Sequence, residues 1–134
     1  MNRFENKIAL VTGSSQGIGE ACALRLAKEG ADIILNGRKF DERGEELIAE
    51  IEKMGRRVKF LAADVSKTKD VIKLIYDAVA VFGSLDILVN NAGLEKKADF
   101  WEVTEEDYDI VMDTNLKGVF FGIQAFVKYC KREK

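Results

Sequence analysis

Histidine is missing from the 134 residues. Its absence removes Ser–His and Cys–His dyads, His-ligated metals and any imidazole base. Proline is missing too, which points to helix-rich content with few rigid turns. The two cysteines, Cys22 and Cys130, stand far apart and form no CxxC pair. They cannot build a four-thiolate zinc site and do not read as a secreted disulfide framework, so no metal site is expected. An excess of one charge is also lacking: 21 Lys and Arg face 23 Asp and Glu, a formal net charge of −2. That near-balance argues against nucleic acid as the main partner, since phosphate binding shows as a basic excess. The charged start, Met1 to Lys7, is followed by only five apolar or small residues before Gly13, too few for a signal peptide. No apolar run approaches the ~20 residues that cross a bilayer. The expected location is the cytoplasm, with no membrane partner.

What is present is a globular composition. Hydrophobic residues make up 47% and charged residues 33%, which excludes an intrinsically disordered chain. The length suits one domain over residues 1–134, without linker, internal repeat or low-complexity stretch. Such a chain buries roughly two-thirds of its unfolded surface. Along it, strand-like and helix-like periods alternate. Residues 7–12 (KIALVT), 32–36 (DIILN), 57–62 (RVKFLA) and 86–90 (DILVN) are short apolar runs of buried-strand type. Between them, residues 17–29, 41–54 and 69–82 place apolar side chains at helical spacing, closed by Gly30, Gly55 and Gly83. Thr104 starts another helical stretch, with Asp107 as a weak capping-box partner. Residues 115–131 are apolar almost all round and predict a helix buried on more than one side. Strands alternating with helices of this length predict an α/β fold with a doubly wound parallel sheet, Rossmann-like, in order 3-2-1-4. Four units of a barrel are the alternative.

The strongest local signal is Thr12-Gly13-Ser14-Ser15-Gln16-Gly17-Ile18-Gly19, directly after the first strand and opening the first helix. Glycine permits a sharp turn and close backbone approach to a pyrophosphate, and the helix N-terminus presents unpaired N–H groups. The spacing is GxxxGxG. Glu20 rather than Lys follows Gly19, so this is no P-loop. On this motif alone, an ordinary glycine-rich turn remains the competing reading.

A second signal follows the fourth strand: Asn90-Asn91-Ala92-Gly93. TGxxxGxG and NNAG in these two places resemble the short-chain dehydrogenase/reductase family. The resemblance continues at Asp64, at Asp86 and at Asn115-Leu116-Lys117-Gly118, and covers the whole chain. Within the family the pattern is most similar to the 3-oxoacyl carrier-protein reductase and glucose dehydrogenase branch. The resemblance implies a nicotinamide-dependent oxidoreductase acting on a small carbonyl or alcohol substrate, with a homo-oligomer as the full-length form. It places Gly13, Ser15, Gln16, Gly17, Ile18 and Gly19 in the pyrophosphate loop. Asp64 and Val65 fall where the adenine ring is contacted, and Asn90, Ala92 and Gly93 where the central sheet meets the adenosine ribose. Asn115 matches the family's catalytic Asn, which holds a water in a proton relay. The competing reading of Asn90 and Asn91 is a polar loop that only ties down backbone.

Cofactor preference turns on the end of the second strand. An acidic side chain there would bond the ribose 2′-hydroxyl and repel a 2′-phosphate. This chain has Gly37, then Arg38, while Asp32 lies at the strand's other end. A guanidinium can pair bidentately with a phosphate, so NADP is expected over NAD. The competing reading makes Arg38 and Lys39 a solvated charge pair.

The chain departs from the family at its chemistry. The family's Ser and Tyr-x-x-x-Lys are not found: the residues four positions after Tyr76, Tyr108 and Tyr129 are Ala80, Met112 and Glu133. Lys134 falls about where a fifth strand is expected to begin, so the sheet is expected to stop at four strands, with an open edge on the fourth. The alternatives to an enzyme are a non-catalytic NADP-binding module and a pseudo-subunit that pairs with a full-length homologue. Residues 94–101 are expected to border the active-site mouth, with Trp101 either there or packed on the following helix.

Overall fold

The computed structural model describes residues 2–133; Met1 and Lys134, the two ends named above, lie outside the described residues. Four strands form one sheet: β1 (Ile8–Val11), β2 (Asp32–Gly37), β3 (Val58–Ala62) and β4 (Ile87–Val89). All pair in parallel, in the order β3-β2-β1-β4. The helices between them are α1 (Gly17–Lys28), α2 (Glu42–Lys53) and α3 (Thr68–Phe82).

Alternation along the strands builds two cores. Ile8 and Leu10 of β1 and Ile34 of β2 face one side, where Val71, Leu74, Ile75 and Ala78 of α3 cover them. Ala9 and Val11 of β1 and Ile33 and Leu35 of β2 face the other side, against Ala23 and Ala27 of α1 and Leu47 and Ile51 of α2. Helices on both faces explain why β1 and β2 read as continuous apolar runs rather than as alternating ones. The parallel register brings the loops after all four strands to one edge of the sheet. At the opposite edge, Asp32 is held by Arg56 and Arg57, which keeps its carboxylate far from those loops.

The C-terminal third differs from expectation. It does not contain one helical stretch after Thr104 and a separate helix from Asn115. Helix α4 (Glu105–Met112) runs through a π-turn (Asp113–Lys117) into α5 (Gly118–Glu133), continuous over 29 residues. No proline or capping glycine interrupts residues 105–117, so nothing stops the helix there, and the wider turn absorbs the mismatch. Thr104 does cap it, its hydroxyl oxygen accepting from Asp107 N–H at 3.1 Å. By length and composition alone this merged helix is long and apolar enough to cross a membrane, which no run was expected to be. One face is nonetheless packed: Gly118, Gly122, Ala125 and Tyr129 are buried against α3 and the sheet.

Burial on more than one side is not observed for α5. Phe120 is 59% exposed and Ile123 46%, with Val127 and Leu116 beside them. Trp101 is 80% exposed, so it does not pack on α4. The second long edge of β4 carries no partner strand among the described residues.

Candidate functional site

The loops after the four strands enclose a crevice of about 1050 Å3. It is lined from the β1 loop by Gly13, Ser15, Gln16, Gly17 and Ile18, and from the β2 end by Asn36, Gly37 and Arg38. Ala63, Asp64 and Val65 close the β3 side, and Asn91 to Leu94 the β4 side. Such a crevice at the carboxyl ends of parallel strands, where strand order reverses between β1 and β4, is where α/β sheets bind ligands.

The first wall is the glycine loop. Gln16 stands at the N-cap of α1 without a side-chain cap bond, and the first intrahelical bond runs from Glu20 N–H to Gln16 O at 3.3 Å. The N–H groups of Gly17, Ile18 and Gly19 therefore have no acceptor among the described residues. Four such groups are orphaned at every helix start, and here they open onto the crevice with the positive end of the dipole. Gly17 has φ +61° and open space where a Cβ would stand. The loop is tight elsewhere: a Cβ on Gly19 would lie 2.4 Å from Asn91 Nδ2 and 2.5 Å from Gly13 O. The Oε1 of Gln16 accepts from Arg43 of α2, another lining residue.

The second wall ties that loop to β4. Thr12 Oγ1 accepts from Asn91 N–H and Ala92 N–H, both at 3.0 Å. Asn91 Nδ2 donates back to Thr12 O at 3.1 Å and Gly13 O at 2.9 Å. Asn91 is thus the working amide of the NNAG segment. Asn90 does not line the crevice, and its Oδ1 lies on the side of Gly122.

The third wall carries charge. Arg38, Lys39 and Arg43 line the β2 end, and among the described residues none of them is ion-paired. Asp41 is spent as the cap of α2, accepting from Gly44 N–H at 3.1 Å. Burial pushes the Asp64 carboxyl up, but the Ser66 hydroxyl at 2.7 Å, the Ser66 N–H at 3.0 Å and the charges of Lys67 and Arg38 outweigh it. Asp64 is held below its ordinary range and stays ionised at neutral pH.

Asn115 sits in the π-turn at the crevice rim, not at a helix start. Its Oδ1 accepts from Leu94 N–H at 2.9 Å and its Nδ2 donates to Leu94 O at 2.8 Å. The carboxamide therefore holds the strand-like loop after Gly93 in place. Of residues 94–101, Leu94 alone lines the crevice.

Sequence reasoning placed the glycine loop, Arg38, Asp64, Val65, Ala92 and Gly93 around one space; the structure brings these residues to one crevice except Gly19, which is not among its lining residues. It missed Thr12, Asn36 and Thr114, the last a buried lining residue from the π-turn. Thr12 and Asn36 are polar residues ending otherwise apolar strands, a signal that could have marked them. A second depression beside α4 is ringed by Glu105, Glu106, Asp107, Asp109 and Asp113, a set that repels anions.

An open helix N-terminus, a glycine-lined floor and unpaired cations at the far end give this α/β domain a crevice with two anion-attracting ends. The comparisons with known proteins show the family. The chain belongs to the short-chain dehydrogenase family, whose model matches residues 7–134. It is 44% identical over 127 residues to a short-chain dehydrogenase/reductase of Pestalotiopsis microspora, covering 95% of this chain and 48% of that protein. It is 41% identical over 129 residues to a 3-oxoacyl-acyl-carrier-protein reductase of Staphylococcus epidermidis, covering 96% and 53%. A short chain dehydrogenase from Burkholderia cenocepacia, solved in complex with NADP, superposes with a TM-score of 0.91 at 39% identity, covering 95% of this chain and 52% of that one. The chain thus spans about half the length of the relatives it matches.

Proposed function

We propose that this chain is the cofactor-binding part of a short-chain oxidoreductase that uses NADP in preference to NAD. The observation that carries the reading is the crevice itself: unpaired N–H groups of Gly17, Ile18 and Gly19 at one end, and Arg38 without a carboxylate partner at the other. The residues fit the group. The open space over Gly17 would take a pyrophosphate, which the α1 N-terminus favours by charge. Asp64 and Val65 would flank the adenine, and Ala92 and Gly93 the ribose. Gly37 leaves the end of β2 without an acid, so Arg38 would meet a 2′-phosphate. Gln16 would act at one remove, through Arg43. Bound there, the nicotinamide would supply or accept a hydride at a small carbonyl or alcohol substrate.

The chain's own residues take the reaction no further. An alkoxide formed by hydride transfer needs a proton donor at reaction distance. No His is present, and no Tyr has a Lys four residues on. Asn115 already holds the Leu94 backbone with both ends of its carboxamide and has no proton to give. These 134 residues by themselves would accordingly bind NADP weakly and reduce nothing, which makes a non-catalytic binding module the reading for the isolated chain. Activity would need the family's Ser and Tyr-x-x-x-Lys, supplied in the same protein or by a partner subunit. The test is calorimetric titration with NADP and NAD on mass-verified protein, then an NADPH-oxidation assay against short keto-esters and sugars. Tighter binding of NADP than NAD with no turnover is expected. No dinucleotide binding would overturn the cofactor assignment, and turnover at an ordinary reductase rate would overturn the assignment of chemistry to residues outside this chain.

A further inference from the structure

Asn36, the penultimate residue of β2, is 1% exposed, and every polar group it has is used inward. Its backbone N–H donates to Ser14 Oγ at 2.9 Å and its carbonyl accepts from Ser14 N–H at 2.8 Å. Its side chain goes further. Oδ1 accepts from Gly13 N–H at 3.2 Å, while Nδ2 donates to Leu61 O at 3.0 Å and stands 3.4 Å from Ala63 O. One carboxamide therefore joins three chain segments: the glycine loop after β1, the end of β2, and the end of β3 that leads into Asp64.

Only an amide satisfies this arrangement. The Gly13 side needs an acceptor and the β3 side needs a donor, and Asn offers both within one small group. An aspartate would set a carboxylate against two carbonyl oxygens. An apolar residue would leave the Gly13 N–H without its acceptor and take this donor from the Leu61 and Ala63 carbonyls. The glycine loop and the Asp64 loop have no strand between them to fix their spacing except β2, and β2 ends here. The backbone ties each loop to β2 separately, Ser14 N–H to Asn36 O at 2.8 Å and Ala63 N–H to Gly37 O at 3.0 Å, and the Asn36 side chain adds the one bridge that touches both loops at once.

We infer that Asn36 is a positioning residue for dinucleotide binding: it sets the distance between the α1 N-terminus and the Arg38–Asp64 side of the crevice. The inference rests on the cofactor reading above. It concerns a ligand that must reach both sides at once. A small ligand that occupies one side would not sense that distance, because each loop keeps its own residues. The dinucleotide would, since its pyrophosphate and its adenosine are covalently linked.

The experiment compares the unmodified chain with Asn36→Leu, which removes the bonds without adding charge. Two probes are titrated by calorimetry at a temperature where both proteins are fully folded: NADP, which spans the crevice, and adenosine 2′-monophosphate, which does not. The expected result is at least a tenfold loss of NADP affinity with less than a threefold change for the mononucleotide. Leu47→Ala, a core substitution where α2 packs on the sheet and outside the crevice lining, supplies a control that lowers the melting temperature and leaves the NADP affinity unchanged. If Asn36→Leu does not fold, Asn36→Ser, which keeps a small hydrogen-bonding group at the same place, carries the comparison with the same thresholds. Equal losses for the two probes, or no loss of NADP affinity, would overturn the positioning role. Failure of the unmodified chain to bind either probe would instead overturn the cofactor reading, and this inference with it.

Discussion

Arg38 has no carboxylate within ion-pair distance among the described residues, while Asp32 at the other end of β2 is claimed by Arg56 and Arg57. One residue thus carries the proposed preference for a 2′-phosphate. Arg38→Asp replaces a charge-assisted pair with a repulsion; such a bond contributes roughly 1.5–3 kcal/mol, about 10- to 100-fold in affinity. Calorimetry is expected to show NADP affinity falling by that factor and NAD affinity rising. Equal NADP binding in both proteins would reduce Arg38 to a surface charge. A different residue governs acid stability. Glu29, at the end of α1, accepts from both Arg3 and Arg25: its Oε1 takes Arg3 Nη2 and Arg25 Nε, each at 2.6 Å. The hydrogen bonds from Arg3 and then Arg25 outweigh the opposing effect of burial and pull its carboxyl down from 4.5 to about 2. A folded-state value below the unfolded one contributes stability above the unfolded value and loses it as pH falls through the folded one. Thermal unfolding followed from pH 5 to 2 should therefore show a steep loss between about 4.5 and 2 that is shallower in Glu29→Gln. Asp64, shifted the same way, leaves a residual slope in the variant. The glycine loop and Arg38 were visible in the sequence because their spacing from a strand end is itself the signal. The Glu29 cluster was not, because Arg3 lies 26 residues away and only the packed chain brings it near.

The long C-terminal helix shows what an element's neighbours do to its sequence. A Cβ on Gly118 would stand 2.3 Å from the Val65 carbonyl oxygen, so α5 can approach the β3 loop only at a glycine. Four residues on, a Cβ on Gly122 would meet Val71 Cγ2 at 3.4 Å and Asn90 Oδ1 at 3.6 Å, ordinary contacts. The two glycines look alike in sequence and should behave oppositely. Gly118→Ala is expected to destabilise by about 1–3 kcal/mol through overpacking. Gly122→Ala is expected to be neutral or to stabilise by up to about 1 kcal/mol through helix propensity. Urea unfolding of both variants decides it, and equal effects would contradict the packing described. Strand and helix spans from β1 to β4 were readable to within a residue or two, because each is bounded by glycine or a switch of period. The merger of α4 and α5 was missed because Asn115-Leu116-Lys117-Gly118 resembles a helix opening, although no proline or capping glycine in residues 105–117 stops the helix before it.

At the scale of the molecule, the two cores are unequal. The side covered by α1 and α2 is closed, with Val11, Ile33, Leu35 and Ile51 fully buried. On the other side α5 leaves Phe120, Ile123 and Val127 about half exposed, and β4 keeps a bare edge among the described residues. Contiguous apolar surface of that kind drives association. The chain is expected to self-associate in sedimentation velocity at tens of micromolar, and Ile123→Lys to shift it toward monomer without loss of helix by circular dichroism. A monomer at all concentrations would show that the face tolerates water.

Topology followed from local rules: period, glycine punctuation and the right-handed crossover leave few sheet orders open. The glycine loop was legible for the same reason, since a phosphate cradle depends on consecutive residues at one helix start. The links between segments were not. That Asn91 reaches Thr12 and Gly13 and that Asn36 bridges Gly13 to Leu61 are facts of parallel register, which sets residues 23 to 79 positions apart side by side, and that Asn115 grips Leu94 is a fact of how the π-turn packs on the loop after β4. A carboxamide has the same donor and acceptor wherever it stands in a sequence, and its role is settled by which backbone groups the packed sheet leaves for it to satisfy.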